Sequence, residues 1–280
     1  MISEMKREAL QSLKGKWGLG VGATSLYLIL NWILGFLLMV IIIMPFSLLS
    51  DFIKESVNPF QSESLSTISI VLTIILVILV NVVNCISTGI TLYGYSNTIL
   101  QLRRGNATID SLFEGFRGFR RMLHATKAMF FIFLYTGSWI PSIMLGFSSF
   151  FEETDNVGIL SLYAILLLAS CVFVAIRYFS YAMTYFIMID YPEYSALQAM
   201  KESKKMMKGH KMDLFLLWLS FIGWGILLFF SVLLLTVFLF GIGLLFIFGI
   251  LWLMPYIYTT TAVFYEKISN NDYKKEDTTF

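Results

Sequence analysis

Six long apolar runs constrain this chain more than any other feature, at about residues 17–46, 67–92, 128–148, 158–176, 214–240 and 242–264. About 20 consecutive apolar residues cross a bilayer as a helix. Inside lipid a helix satisfies its own backbone polar groups, which a loop or an open strand does not. The runs therefore predict an all-α membrane protein. Only 14% of the residues are charged and 58% are hydrophobic, whereas a soluble domain carries about 25% charged residues. The polar opening, MISEMKREALQSLKGKWG, leads into a run too long for a signal-peptide core of about 7–15 residues, so no cleaved signal is expected.

The charges between the runs are sorted. Lys6, Arg7, Lys14 and Lys16 precede the first run. Arg103, Arg104, Arg117, Arg120, Arg121 and Lys127 lie between the second and third. Lys201, Lys204, Lys205, Lys208 and Lys211 lie between the fourth and fifth, and Lys267, Lys274 and Lys275 follow the sixth. The alternate segments, 47–66 and 149–157, carry Lys54 against Asp51, Glu55, Glu63, Glu152, Glu153 and Asp155. Lys and Arg are retained in cytoplasmic loops. This predicts six transmembrane helices with both termini cytoplasmic.

The chain also repeats itself, which predicts one polytopic domain, 1–280, built from approximate repeats 1–104, 105–191 and 192–268 with a polar tail 269–280. Sliding 120–139 over 204–223 places Arg120 and Arg121 on Lys204 and Lys205, and Lys127 on Lys211. Ser111 with Glu114, and Ser195 with Gln198, match the capping box that starts helices. Apolar residues at helical spacing follow a basic face in each repeat: Ile2, Met5, Ala9 and Leu13; then Ile109, Leu112, Phe113, Phe116, Phe119 and Leu123; then Leu197, Met200 and Met207. The expectation is three hairpins, each preceded by a cytoplasmic amphipathic helix at the membrane surface.

A sharper echo recurs near the cytoplasmic ends of the second, fourth and sixth helices. YGYSNT (93–98), FSYAMT (179–184) and YIYTTT (256–261) all read aromatic-x-Tyr-x-x-Thr. Tyr95 and Thr98, Tyr181 and Thr184, and Tyr258 and Thr261 are three apart, hence on one helix face. They form either an interfacial aromatic belt or the edge of a vestibule where three faces meet. Asn81, Asn84 and Ser87 recur every three residues and either bond neighbouring helices or face a ligand. Arg177 either snorkels at the inner boundary or lies deep, where a charge is a functional candidate. Lys14, Arg120, Arg121, Lys204, Lys205, Lys208, His210 and Lys211 are candidates for lipid headgroups. Cys85 and Cys171 lie in apolar runs as packing residues.

No HExxH, GxSxG or phosphate-loop pattern occurs, and no pair of carboxylates sits within the runs. Neither enzymatic activity, a cofactor, a metal nor nucleic-acid binding is expected.

The stretch 203–224, SKKMMKGHKMDLFLLWLSFIGW, carries Met207, Gly209, Lys211, Leu214, Phe215 and the run Leu219 to Trp224. Gly241, Gly243, Trp252, Pro255, Tyr256, Phe264 and Tyr265 follow it. With LKGKWG at 13–18, this resembles the bacterial integral membrane family catalogued as domain-of-unknown-function family 975. The resemblance implies a multi-pass protein of the bacterial cell membrane and carries over no catalytic residue. Two functions are open. One is a non-enzymatic binding or transport-type module for a lipid-like or amphipathic peptide ligand, using the Tyr/Thr faces, the Asn stripe and Arg177. The other is an accessory or scaffold protein whose basic amphipathic helices recruit anionic lipid or a partner. Membrane lipids, and an unidentified membrane or envelope protein, are the expected partners.

Overall fold

A computed structural model of the chain describes residues 2–56, 62–146, 156–238 and 249–277, among which there are helices and no strand. In chain order come α1 (Ile2–Leu13), α2 (Trp17–Leu38), a π-helical turn (Met39–Ile43), α3 (Met44–Ser56) and α4 (Ser62–Arg104). A 3₁₀ segment (Ile109–Phe116), α5 (Phe119–Thr136) and α6 (Trp139–Gly146) follow. The rest is α7 (Val157–Tyr178), a 3₁₀ turn (Phe179–Tyr181), α8 (Thr184–Asp190), α9 (Ala196–Met206), α10 (Lys211–Phe238) and α11 (Ile250–Asp277).

Among the described residues, four stretches are long and apolar enough to cross a membrane: Trp17–Ile53, Thr67–Arg104, Val157–Asp190 and Lys211–Ser231. The bent pair α5 and α6 makes a fifth if it is one span. The start of the sixth expected run, with the turn expected at Gly241 and Gly243, lies outside the described residues, as do most of 149–157.

The breaks in these stretches have local causes. Pro45 lacks an amide hydrogen, and its ring crowds the carbonyl four residues back. The ladder widens just before it, so that the Met44 amide donates to the Met39 carbonyl. The helix then continues to Ser56, so within 47–66, expected as an outer connection, the described residues 47–56 and 62–66 are helical. Gly137, at φ +82°, turns the chain between α5 and α6, which meet at 78°. The expected straight run 128–148 is therefore broken at a residue suited to the left-handed region.

The chain divides into two compact units. The first comprises Met1–Ile29, Ile90–Ala125 and Phe179–Phe280, and the second comprises Leu30–Gly89 and Thr126–Tyr178. In the first, α1 packs along α11. Met5, Ala9 and Leu13 recur every four residues, share a face, and are buried. Fully burying Met5 or Leu13 contributes about 2 kcal/mol each. α9 buries Ala196, Ala199, Met200 and Ser203, and packs on α8. In both helices the apolar face is thus occupied by protein.

In the second unit, and on α10 of the first, large apolar side chains are exposed. Trp32, Ile41, Leu168 and Ile176 are exposed. A surface this rich in large apolar side chains is untenable for a soluble monomer and suits a lipid solvent.

Candidate functional site

All three aromatic-x-Tyr-x-x-Thr motifs lie in the first unit, and two of them meet. The Tyr95 ring stacks on Tyr27 with centroids 4.7 Å apart and meets Tyr258 edge-on at 4.9 Å. Tyr95 is 0% exposed. Thr24 donates its only hydroxyl hydrogen to the Gly20 carbonyl (2.8 Å), so Tyr95 is the donor in the 2.9 Å bond between the two hydroxyls. A buried phenol needs such a partner.

The threonines are also engaged. Thr98 donates to the Gly94 carbonyl (3.0 Å), and Ser111 lies 3.1 Å from its hydroxyl oxygen. The Asn97 amide donates to the Ser111 carbonyl (3.0 Å), tying α4 to the 3₁₀ segment. Thr261 accepts from the Trp218 indole (3.2 Å) and donates to the Ile257 carbonyl (2.9 Å). Asn97, Thr98 and Thr261 are buried, and each is hydrogen-bonded to protein.

The middle motif differs. Tyr181 ends a 3₁₀ turn and Thr184 opens α8, so the pair is not on one continuous helix as the spacing predicts. Ser203 of α9 explains the break. Its hydroxyl donates to the Ser180 carbonyl (3.1 Å) and accepts from the Met183 amide (3.2 Å). Groups freed by a broken ladder are satisfied by this side chain instead. Thr184 donates to the Tyr181 carbonyl (2.7 Å).

The backbone itself comes close where α4 meets the 3₁₀ segment. A Cβ placed on Gly94 would fall 1.8 Å from the Leu112 carbonyl oxygen, and one on Gly115 would fall 2.3 Å from that of Ile90. The expected capping boxes fare differently. Ser195 and Gln198 form one, with bonds of 3.3 and 2.7 Å. Ser111 lies inside the 3₁₀ segment, where Glu114 instead pairs with Arg117 (3.1 Å) and with Arg121.

A charged cluster that the sequence reading did not assemble joins four helices of this unit. Arg104 donates to both carboxylate oxygens of Asp190 (2.7 and 2.9 Å) and faces Glu266 at 3.4 Å. Arg103 pairs with Glu8 and Glu266, both at 3.2 Å, and donates to Ser12 (3.1 Å). Lys267 reaches Glu8 at 2.7 Å and Glu4 at 3.6 Å. Tyr265 donates to Asp190 (2.9 Å), and burial together with that carboxylate pushes its hydroxyl above the ordinary tyrosine pKa. Lys6 extends the tie to α10. Its ammonium lies 4.0 Å over the Phe221 ring and donates to the Ser220 carbonyl (3.0 Å), and desolvation lowers its pKa. The signal available in sequence was the alternation of acid and base on α1, which sequence alone does not pair with residues over 90 positions away.

Arg177, Asn81 and Asn84 belong to the second unit. Arg177 is exposed, with its guanidinium 5.3 Å from the Phe173 ring centroid. Asn81 donates to the Val77 carbonyl of its own helix (2.7 Å), and Asn84 is exposed. Of the headgroup candidates, Lys14, Arg120, Lys204, Lys205 and Lys208 are exposed, whereas Lys211 and Arg121 are half-buried. His210 lies 3.2 Å from Asp213, and Lys205 lies 3.7 Å from Glu202.

These features define an all-helical protein with several helices apolar enough to cross a membrane, one of its two units holding a polar and aromatic core. More particularly, the chain belongs to the family described as Protein of unknown function (DUF975), which matches residues 1–272. No curated protein and no solved structure matches it.

Proposed function

We propose that this is a non-enzymatic, multi-pass protein of the bacterial cell membrane, with six spans and both termini cytoplasmic. It acts as an accessory or scaffold protein that engages anionic lipid through its basic face. The carrying observation is the state of the tyrosine and threonine residues. Tyr95, Thr98 and Thr184 are fully buried, and their hydroxyls are spent on protein partners. A ligand chamber edged by them would need those bonds undone. Those bonds favour the scaffold reading over the ligand module, and exposed Lys14, Arg120, Lys204, Lys205 and Lys208 support contact with anionic headgroups. Each such cation contributes about 1 kcal/mol near an anionic surface, weakened by salt.

The test is the apparent melting temperature of the purified full chain in nanodiscs. Phosphatidylglycerol should raise it relative to phosphatidylcholine, and added salt should erase the gain. Equal stability in both lipids at low salt would refute the reading. Topology is tested separately. Cysteines introduced at Ser62 and Asn156 should label from outside intact cells, and those at Thr108 and Asn271 should not; inside labelling at 62 or 156 would overturn six spans.

A further inference from the structure

The three basic segments were alike in sequence, but they spend their apolar residues differently. On α1, Met5, Ala9 and Leu13 are covered by protein, and on α9 so are Ala199 and Met200. Each helix leaves one large apolar residue out, Leu10 and Leu197 respectively. The segment from Ile109 to Leu123 is different. Only Leu112 among its large aliphatic residues is buried, while Ile109 is 55% exposed, Phe113 39%, Phe119 79% and Leu123 41%.

The local geometry accounts for that presentation. Leu112 anchors the 3₁₀ segment against α4, where Gly94 permits the close approach. Gly118, at φ +89°, then turns the chain into α5 and sets Phe119 at its first position. Phe119 and Leu123 are four apart and share a helix face. Glu114 holds Arg117 and Arg121 on the same short stretch, and among the described residues no acidic partner meets exposed Arg120. Large exposed apolar side chains beside exposed guanidinium groups form a surface that water serves poorly. An anionic phospholipid leaflet serves both parts. The rings and aliphatic chains reach the boundary between headgroup and acyl chain, and the guanidinium groups meet phosphate.

We propose that the segment from Ile109 to Leu123 is the in-plane lipid-docking element of the protein. Ile109, Phe113, Phe119 and Leu123 enter the leaflet and Arg117 and Arg120 lie at phosphate level, whereas α1 and α9 bury their apolar faces on protein and leave only exposed basic side chains to meet headgroups. This rests on the anionic-lipid reading above and assigns the inserted apolar part of it to one of three candidate segments.

The test places an environment-sensitive fluorophore on Phe119→Cys, in the full chain with Cys85→Ala and Cys171→Ala, reconstituted in nanodiscs containing phosphatidylglycerol. Quenching by spin-labelled acyl chains is compared with quenching by aqueous iodide. The label at 119 should be quenched by lipid and shielded from iodide, and Arg117→Gln with Arg120→Gln should lose that shielding. A label at Gln11→Cys on α1 should show the reverse. Phe113→Cys repeats the measurement at an independent position, should the 119 variant fail to fold. Iodide access at both 113 and 119, with the phosphatidylglycerol gain in melting temperature intact, overturns this inference alone. Equal lipid quenching at Gln11 overturns the restriction to one segment. Iodide access together with no phosphatidylglycerol gain overturns the anionic-lipid reading itself.

Discussion

Gly94→Ala should be the most damaging single-methyl change in the first unit. The added Cβ falls 1.8 Å from the Leu112 carbonyl oxygen and 2.9 Å from its carbonyl carbon, against 3.4–4 Å for ordinary contact. Both obstructing atoms are backbone, so no rotamer change relieves them. The 3₁₀ segment must retreat from α4, and its bonds go with it. Overpacking costs about 1–3 kcal/mol. Loss of the Asn97 bond to the Ser111 carbonyl and of the Ser111–Thr98 bond adds about 1 kcal/mol each. The expected total is about 3–5 kcal/mol. The assay is thermal unfolding of the full chain in nanodiscs, followed by tryptophan fluorescence. Gly22→Ala in α2 is the control, because nothing lies within 4 Å of its Cβ position and a helical Gly-to-Ala change gains about 0.5–1 kcal/mol. Gly115→Ala should resemble Gly94→Ala. The double variant should cost less than the two single variants together, since both displace the same segment. A Gly94→Ala protein that melts with wild type would refute the backbone contact.

The charged cluster and the second unit supply further expectations. Asp190→Asn removes the two-pronged partner of Arg104 and weakens the acceptor of Tyr265. Both ion-pair side chains are partly exposed, so the loss in unfolding measurements should be about 1 kcal/mol, and Arg104→Lys should lose part of it because an ammonium lacks the planar fork. Arg177→Leu should leave membrane level unchanged and melting stability within about 0.5 kcal/mol of wild type, because the side chain is exposed; a large loss in either would show that Arg177 makes a structural contact.

Much of the helical content was legible because it follows from local composition. Long apolar runs announce helices in lipid, and Ser195 with Gln198 announces the start of α9 through bonds made within four residues. Elsewhere a residue outside the motif decides the local state. Ser111 and Glu114 have the same spacing, yet Glu114 is taken by Arg117 and Arg121, and the stretch becomes 3₁₀. The motif at 179–184 breaks its helix because Ser203, some twenty positions on, satisfies the freed backbone groups. The charges of 47–66 point to a connection, yet helical hydrogen bonds continue to Ser56.

What the sequence by itself determined is the solvent and the sorting of charge. Both are properties of single residues summed along the chain, and burial does not change them. Tertiary structure alone decided which apolar faces meet protein and which stay exposed, because α1, the segment from Ile109 to Leu123, and α9 carry similar patterns. It alone also joined Arg103 and Arg104 to Glu8, Asp190 and Glu266. Charges attract any opposite partner within reach, and reach between residues 8, 104, 190 and 266 exists only once the helices have packed.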